Sequence, residues 1–306
     1  MTTLHDRRFY FVTGKGGVGK TTVTSALALS LAARQKRVLI CACNAKERFS
    51  SLFEAPPLGH EVIAVAENVW ATNIDPGRAM EEYGLMILKS RTVYRTVFDN
   101  RYVRSFFRAT PGLYEWAMLG KAWFHAVEPS ADGTPPYDAV ILDAPATGHG
   151  LDMLRVPKVI VDVVPPGILR RDAERAWTMF RDARQTGVVI VTLPEDMPVN
   201  ETLELSQALT GELGLNVSEI VVNGMIPPLF SSGERASLLS PHKLDERTRG
   251  GVAVAAGARR ALRETIQAEA IARLGKELAA PKVYVPLYFG GVNGLADLRE
   301  IARRFA

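Results

Sequence analysis

The sequence predicts a doubly wound α/β fold built on a mostly parallel sheet, and two observations carry that prediction. Several short apolar runs are nearly continuous in Val, Ile and Leu, which is typical of strands buried on both faces of a parallel sheet. Helical patterns separate these runs, as in βαβ units. Strands are predicted at 8–13, 37–42, 139–142, 158–164, 188–193, 219–222 and 282–285, with an edge pair at 62–65 and 69–73, and helices at 21–33, 172–186, 201–212 and 295–305.

Composition excludes several classes of protein. With 47% hydrophobic residues over 306 positions, the chain is neither disordered nor fibrous. Its 37 basic and 33 acidic residues give too small an excess to imply a nucleic-acid partner. The two cysteines, Cys41 and Cys43, cannot form a disulfide framework, and there is no apolar run long enough for stable membrane insertion. We therefore expect a cytoplasmic protein.

Two segments depart from the alternation of strands and helices. Residues 76–128 contain no strand-like run and are rich in aromatic residues, so we expect a helical subdomain inserted into a single sheet domain that spans 1–306. Its aromatic side chains either pack the subdomain's own core, which we favour, or line a groove for an apolar helical client. Residues 231–257 are polar and then rich in Ala and Gly, which favours a mobile surface loop.

A phosphate-binding loop is the most specific motif in the chain. Residues 14–21 read GKGGVGKT and satisfy G-x-x-x-x-G-K-[ST] between a predicted strand and a predicted helix. Glycines allow the backbone to turn its N–H groups inward, and the helix N-terminus adds a positive dipole end. Lys20 then reaches the β- and γ-phosphates, while the Thr21 hydroxyl ligates Mg²⁺. The predicted nucleotide-binding residues are Gly16, Gly17, Val18, Gly19, Lys20, Thr21 and Thr22.

A second landmark follows the strand predicted at 139–142. Asp143 ends an apolar run, and in phosphate-loop proteins this carboxylate supports Mg²⁺. The following residues, APATGHGLDML, resemble the switch II segment of the ArsA/Get family of ATPases. Lys15, directly after the first loop glycine, makes the loop similar to the deviant version that this family shares. The family includes the arsenite-pump ATPase and the targeting factor for tail-anchored membrane proteins.

The resemblance implies ATP or ADP with Mg²⁺ as ligands and a dimer as the working state. In the family, the lysine corresponding to Lys15 reaches the nucleotide of the partner subunit, so a homodimer or a heterodimer with a related ATPase is expected. Asn223 matches the asparagine that recognises the adenine edge. Pro286 and Leu287 match a C-terminal segment that closes over the base, and His149 falls in switch II.

The chain departs from the family in its switch I segment. Asn44 stands where the resemblance places an aspartate that activates the attacking water, and no aspartate occurs between Val38 and Leu58. An amide cannot accept a proton, so a general-base contribution of about 10²–10⁴-fold is expected to be missing. Glu47 is the alternative base. The predicted catalytic residues are Lys15, Lys20, Asn44 and Asp143.

Three hypotheses for the output remain open. The first is an ATP-gated carrier for an apolar helical client. The second is a regulatory subunit that hydrolyses ATP poorly and completes the site of a related chain. The third is a membrane-positioning ATPase that resembles MinD and uses the basic, amphipathic helix at 295–305 as its anchor. In the ArsA/Get family the equivalent helix packs on the sheet, and we favour that arrangement.

Overall fold

An eight-stranded sheet forms the centre of the molecule. The structure, a computed structural model, describes residues 4–43, 47–88, 112–129, 135–145, 147–240 and 248–305. The strand order is β3-β4-β2-β5-β1-β6-β7-β8, and every pair is parallel except β3 with β4. The strands are β1 Phe9–Thr13, β2 Val38–Cys43, β3 Ile63–Ala66, β4 Val69–Ile74, β5 Ala139–Asp143, β6 Thr186–Thr192, β7 Val217–Met225 and β8 Lys282–Pro286.

Helices cover both faces of this sheet, which confirms the predicted fold class. α1, α2 and α10 pack on one face, whereas α4 to α7 and the last turns of α9 pack on the other. The helices in the described residues are α1 Lys20–Ala32, α2 Phe49–Phe53, α3 Pro76–Leu88, α4 Leu113–Val127, α5 Thr147–Val163, α6 Ile168–Arg181, α7 Asp196–Gln207, α8 Ser232–Leu239, α9 Arg249–Glu277 and α10 Leu295–Ala302. A π-helical turn, Ala208–Glu212, extends α7.

The central strand β1 shows why the apolar runs are continuous. Phe9 and Phe11 face the α4–α7 layer, whereas Tyr10 and Val12 face α1. All four side chains are fully buried. β1 lies between β5 and β6, so the carboxyl ends of these three parallel strands meet at one edge of the sheet. Ligands of doubly wound sheets bind at that edge.

The strand predicted at 158–164 is wrong, because residues 158–163 continue α5. Met153, Val156 and Ile160 are buried at spacings of three and four residues, while Val159 is 54% exposed. This is the period of a helix with one buried face. Lys158 and Asp162 form an i,i+4 ion pair of 2.6 Å on the outer side. Packing of this face on the sheet therefore overrides the β-propensity of the Val and Ile residues.

The surface loop expected at 231–257 is also largely wrong. Residues 232–239 form α8, which begins with a capping box between Ser231 and Glu234, and residues from 249 onward form α9. Residues 241–247 lie outside the described part of the chain. The helices α6 and α7 begin about one turn earlier than predicted, and α7 is followed by the π-helical turn.

The described parts of 76–128 are the helices α3 and α4. Trp116 and Trp123 of α4 are 2% and 6% exposed and pack in the core on the α4–α7 side of the sheet. These two aromatic side chains therefore serve a core, as we favoured. Residues 89–111, which include most of the other aromatic residues of this segment, lie outside the described residues. The boundaries of an inserted subdomain stay a prediction.

The C-terminal helix packs on the sheet domain. Leu298, Ile301 and Phe305 are at most 3% exposed and belong to the core that includes α1. The favoured interpretation of 295–305 is confirmed, and the apolar face that a membrane anchor needs is already used. Among the described helices, none has the length and apolar character required to cross a membrane.

Candidate nucleotide-binding site

The phosphate-loop motif forms a tight loop between β1 and α1. Gly14, Gly17 and Gly19 have positive φ angles of 144°, 86° and 92°, which glycine adopts without strain. A Cβ atom on Gly14 would lie 2.1 Å from the carbonyl oxygen of Val191, and one on Gly19 would lie 2.3 Å from Nδ2 of Asn223. The loop thus fits closely against the carboxyl ends of β6 and β7, and two of its glycines are required by these neighbours.

Lys20 begins α1 and folds back along the loop. Its Nζ donates to the carbonyl oxygens of Gly14 at 3.1 Å and Lys15 at 3.0 Å. Burial lowers the pKa of Lys20, and the nearby charge of Asp143 opposes that shift. A partly buried ammonium that donates to backbone carbonyls is well suited to exchange them for an anion at the loop.

Asp143 ends β5 beside two hydroxyl groups of α1. Thr21 Oγ1 donates to Asp143 Oδ2 at 2.8 Å, and Thr24 Oγ1 donates to Asp143 Oδ1 at 3.2 Å. Burial raises the pKa of Asp143 to about 6, although both hydroxyls and the Lys20 ammonium favour the ionised form. A carboxylate and hydroxyls form an all-oxygen donor set of the kind that Mg²⁺ prefers. The residues present therefore fit the metal that the sequence implies.

Asn223 links β7 to the phosphate loop. Its Nδ2 donates to the carbonyl oxygen of Val18 at 2.8 Å. A carbonyl oxygen only accepts, so this contact fixes the orientation of the amide and leaves Oδ1 as an acceptor. Pro286 ends β8, and the N–H of Leu287 donates to the carbonyl oxygen of Met225 at 2.8 Å. The segment expected to close over the base therefore starts beside the end of β7.

Lys15 points away from the loop toward α7. Its Nζ lies 2.8 Å from Oε1 of Glu201 and 2.8 Å from the sulfur of Met197. About a third of each charged side chain of the ion pair is exposed. Lys15 is thus held at the surface, separate from the cluster of Lys20, Thr21 and Asp143.

Switch I is described only in part, because Asn44 lies outside the described residues. Glu47 accepts hydrogen bonds from the N–H and hydroxyl of Ser50 at 2.9 and 2.6 Å and from the N–H of Leu58 at 3.2 Å. Partial burial alone would raise the pKa of Glu47, but these hydrogen bonds lower it below the ordinary value. Glu47 therefore anchors the start of α2, which disfavours it as the alternative base. A switch role for His149 stays a prediction, since its side chain is not described.

Two residues of this region were missed in the sequence. Thr24 lies one turn after Thr21 on α1, and that spacing is the signal that could have indicated a second hydroxyl at Asp143. Glu201 has no local signal, because 186 positions separate it from Lys15 and only the adjacency of β1 and β6 brings α7 to the loop.

Among the residues that the structure describes, Cys41 and Cys43 form no metal site with other side chains. Both are free and buried, and burial raises the pKa of Cys41 to about 12 and that of Cys43 well above its ordinary value. Within the described ranges there is no group of three or more His, Cys, Asp or Glu side chains that could hold a metal ion. The thiols therefore stay protonated and serve as small apolar side chains of β2.

Comparison with known proteins identifies the family. The model of the anion-transporting ATPases, the ArsA family, matches residues 7–165 and 169–238. The chain belongs to this family. Three of its relatives are ATPase BagA of Mycobacterium tuberculosis, 30% identical over 98% of this chain and 92% of the relative; the arsenical pump-driving ATPase of Escherichia coli, 26% identical over 72% and 40%; and ATPase get3 of Neurospora crassa, 26% identical over 72% and 74%.

The family match establishes the general activity, which is ATP hydrolysis. This protein is an ArsA-family ATPase, and nucleotide binding follows from that membership. The matched ranges include the phosphate loop, Asp143 and Asn223, whereas Pro286 and Leu287 lie beyond them. The resemblance stated from the sequence motifs is confirmed.

Proposed function

We propose that this ATPase is a dimeric switch, gated by ATP and ADP with Mg²⁺ at the carboxyl edge of its sheet. The observation that carries the proposal is the convergence of Lys20, Thr21 and Asp143 beside a loop that only glycines can form. Lys20 and the loop N–H groups would hold the phosphates. Thr21 and Asp143 would hold Mg²⁺, which neutralises charge on the phosphate oxygens when it is bound.

The remaining roles follow from the positions of the other side chains. Oδ1 of Asn223 would accept from the amino group of adenine, because the bond from one Nδ2 N–H to Val18 fixes the orientation of the amide. Lys15 would reach the phosphates of a second subunit, either another copy or a related ATPase. We also propose a cytoplasmic location, since both cysteines are free thiols, as is usual in a reducing compartment.

We propose that the switch binds and carries an apolar helical client. A cavity of about 370 Å³ lies between α3, α4 and α6. Apolar and aromatic side chains dominate its wall, among them Tyr83, Met86, Trp116, Trp123 and Phe124. The rim adds charged groups such as Lys121 and Arg175, and Arg175 lies 5.4 Å from the centre of the Trp123 ring. A mainly apolar recess with a few charged groups suits an amphipathic segment.

A second candidate function is a subunit that hydrolyses ATP poorly by itself and completes the site of a related chain. Two points support it: the resemblance to the family aligns Asn44 with the water-activating aspartate, and the carboxylate of Glu47 accepts hydrogen bonds from Ser50 and Leu58.

Nucleotide binding is tested by the thermal stability of the purified protein. Saturation with ATP and Mg²⁺ at about 100 times the dissociation constant should raise the free energy of unfolding by about 2.7 kcal/mol. Lys20→Ala should abolish that shift, because it removes the ammonium that contacts the phosphates. Lys36→Ala, which removes a lysine far from the loop, is the control and should retain it. A wild-type melting temperature that ATP does not change would contradict the proposal.

Substitution of Asn44 distinguishes the two candidate functions. Asn44→Asp should raise the turnover number by about 10²-fold or more with little change in ATP affinity, because a general base acts in the transition state. The measurement is steady-state phosphate release at several ATP concentrations. Glu47→Gln should leave turnover within a few-fold of the wild type. Brisk wild-type hydrolysis that Glu47→Gln abolishes would make Glu47 the base and remove the support for a partner subunit.

A further inference from the structure

Lys15 has a partner within its own chain that the proposed switch does not use. Its ammonium lies 2.8 Å from a carboxylate oxygen of Glu201 and 2.8 Å from the sulfur of Met197. Glu201 and Met197 are four residues apart on α7, so they lie on the same side of the helix, one turn apart. The two side chains thus form one receptor for the lysine.

The position of this receptor is fixed by the core. Val199, Thr202 and Leu205 of α7 are at most 5% exposed. These buried side chains hold α7 against the sheet, and α7 follows β6, which pairs directly with β1 before the phosphate loop. Glu201 cannot follow Lys15 if the lysine moves away, because its helix is anchored.

The ammonium that pairs with Glu201 is the group that the proposed switch places on the phosphates of a second subunit. Formation of the dimer would therefore compete with the ion pair between Lys15 and Glu201. The pair is about one-third exposed, and pairs of that kind shift an equilibrium by up to about fivefold. Met197 is 63% exposed and lies beside the lysine, so the lysine leaves from an accessible surface.

We propose that Glu201 is a latch that holds Lys15 within its own subunit and so opposes dimer formation until ATP is bound. This inference rests on the proposed dimeric switch and adds the element that restrains it. In the latched position the lysine is neutralised by Glu201. In the released position its charge is available to the phosphates of the partner subunit, and binding of that nucleotide compensates for the loss of the ion pair.

The experiment measures the dimer dissociation constant by sedimentation velocity with Mg²⁺ and a non-hydrolysable ATP analogue. Glu201→Gln removes the charge and keeps the shape of the side chain, so the dimer should become about two- to fivefold tighter. Glu201→Ala removes the remaining hydrogen bond and should have an effect at least as large. Glu204→Gln is the matched control, because Glu204 is an exposed carboxylate on the same helix, and it should leave the constant unchanged.

A second measurement follows Lys15 in the single chain without nucleotide. Mass spectrometry reports the rate at which an amine-reactive ester acylates Lys15. Release from Glu201 should raise this rate by about twofold or more in Glu201→Gln and leave it unchanged in Glu204→Gln. The affinity of each variant for ATP at low protein concentration should match the wild type, because the contact of Glu201 is with Lys15 and not with Lys20, Thr21 or Asp143.

The outcomes separate the latch from the proposed function. A dimer that Glu201→Gln leaves unchanged or weakens overturns the latch alone, and so does an acylation rate that does not change. A wild-type protein that stays monomeric at saturating analogue overturns the dimeric switch itself. A tighter dimer together with faster acylation supports the latch.

Discussion

Asp143, which is half-buried, and Glu219, which is buried, are carboxyl groups at opposite ends of the same sheet. Asp143 ends β5, and burial raises its pKa to about 6. Glu219 is the third residue of β7, is 7% exposed, and burial raises its pKa to about 7. By the direction of the pKa shift and its main cause, burial, the two groups look alike.

Their surroundings differ in the groups that converge on each carboxyl. Asp143 receives two hydroxyl groups from α1 and lies near the Lys20 ammonium, at the edge where loops leave the parallel strands. For Glu219, the charge that favours ionisation is that of Arg7, whose Nε donates to the carbonyl oxygen of Ala183. The two groups teach that a raised pKa by itself reports burial. What supports the proposed phosphate and metal site at Asp143 is the set of oxygen donors that converge beside a glycine loop.

The largest effect is expected at the nucleotide end of the sheet. Gly14→Ala should lower the free energy of unfolding by about 3 kcal/mol, because the new Cβ would meet the Val191 carbonyl in a backbone conformation that alanine rarely adopts. Gly17→Ala is the matched control: its φ is also positive, but nothing lies within 4 Å of a Cβ there. Urea unfolding without nucleotide measures both. Equal losses would mean that strain, and not the contact with β6, governs the loop.

A smaller effect is expected at the opposite end. The folded pKa of Glu219 is above its ordinary value, so its contribution to stability is complete below about pH 4.5 and is lost as the pH rises through about 7. Glu219→Gln should therefore stabilise the protein by about 2 kcal/mol at pH 8 and change little at pH 4.5. Urea unfolding of both proteins between about pH 4.5 and pH 8 measures how the free energy of unfolding depends on pH.

Asp138 is the control, because its pKa is shifted in the opposite direction and its substitution should change the pH dependence of stability with the opposite sign. Arg37 holds its pKa below the ordinary range, first through a side-chain hydrogen bond, so Asp138→Asn should destabilise the protein above about pH 4. Binding of ATP and Mg²⁺ should also distinguish Asp143 from Glu219. Glu219→Gln should keep the increase in unfolding free energy that ATP and Mg²⁺ cause, whereas Asp143→Asn should lose it. If the stability of Glu219→Gln depends on pH as strongly as that of the wild type, Glu219 is not the group that lowers stability as the pH rises through about 7.

The smallest effect concerns base selectivity, at the other end of the strand that carries Glu219. Since one N–H of Asn223 Nδ2 donates to Val18 and fixes the amide, we expect Oδ1 to face the base and to favour the amino group of adenine over the oxo group of guanine by about tenfold. Competition binding of ATP and GTP measures the ratio. Asn223→Ala should bring the two affinities together, and equal wild-type affinities would show that Asn223 does not recognise the base.

The sequence alone determined the nucleotide edge of the molecule. Gly14, Gly19, Lys20 and Thr21 lie within eight consecutive residues at the junction of the loop and α1. Local backbone geometry therefore brings them together in space. The same holds for β1 and β5, whose burial on both faces requires continuous apolar runs. Short-range geometry and backbone conformation decide such elements, and both are visible in the order of residues.

Tertiary structure decided the rest. Residues 158–163 are helical although they are rich in Val, because one face of α5 packs on the sheet. Residues at 232–239 and from 249 onward form helices that their polar and small residues did not indicate. The contact of Lys15 with Glu201 exists because β1 and β6 are neighbours in the sheet. Such features depend on which surfaces meet after the chain has folded, and local propensities of about 1 kcal/mol or less per residue are too small to determine that.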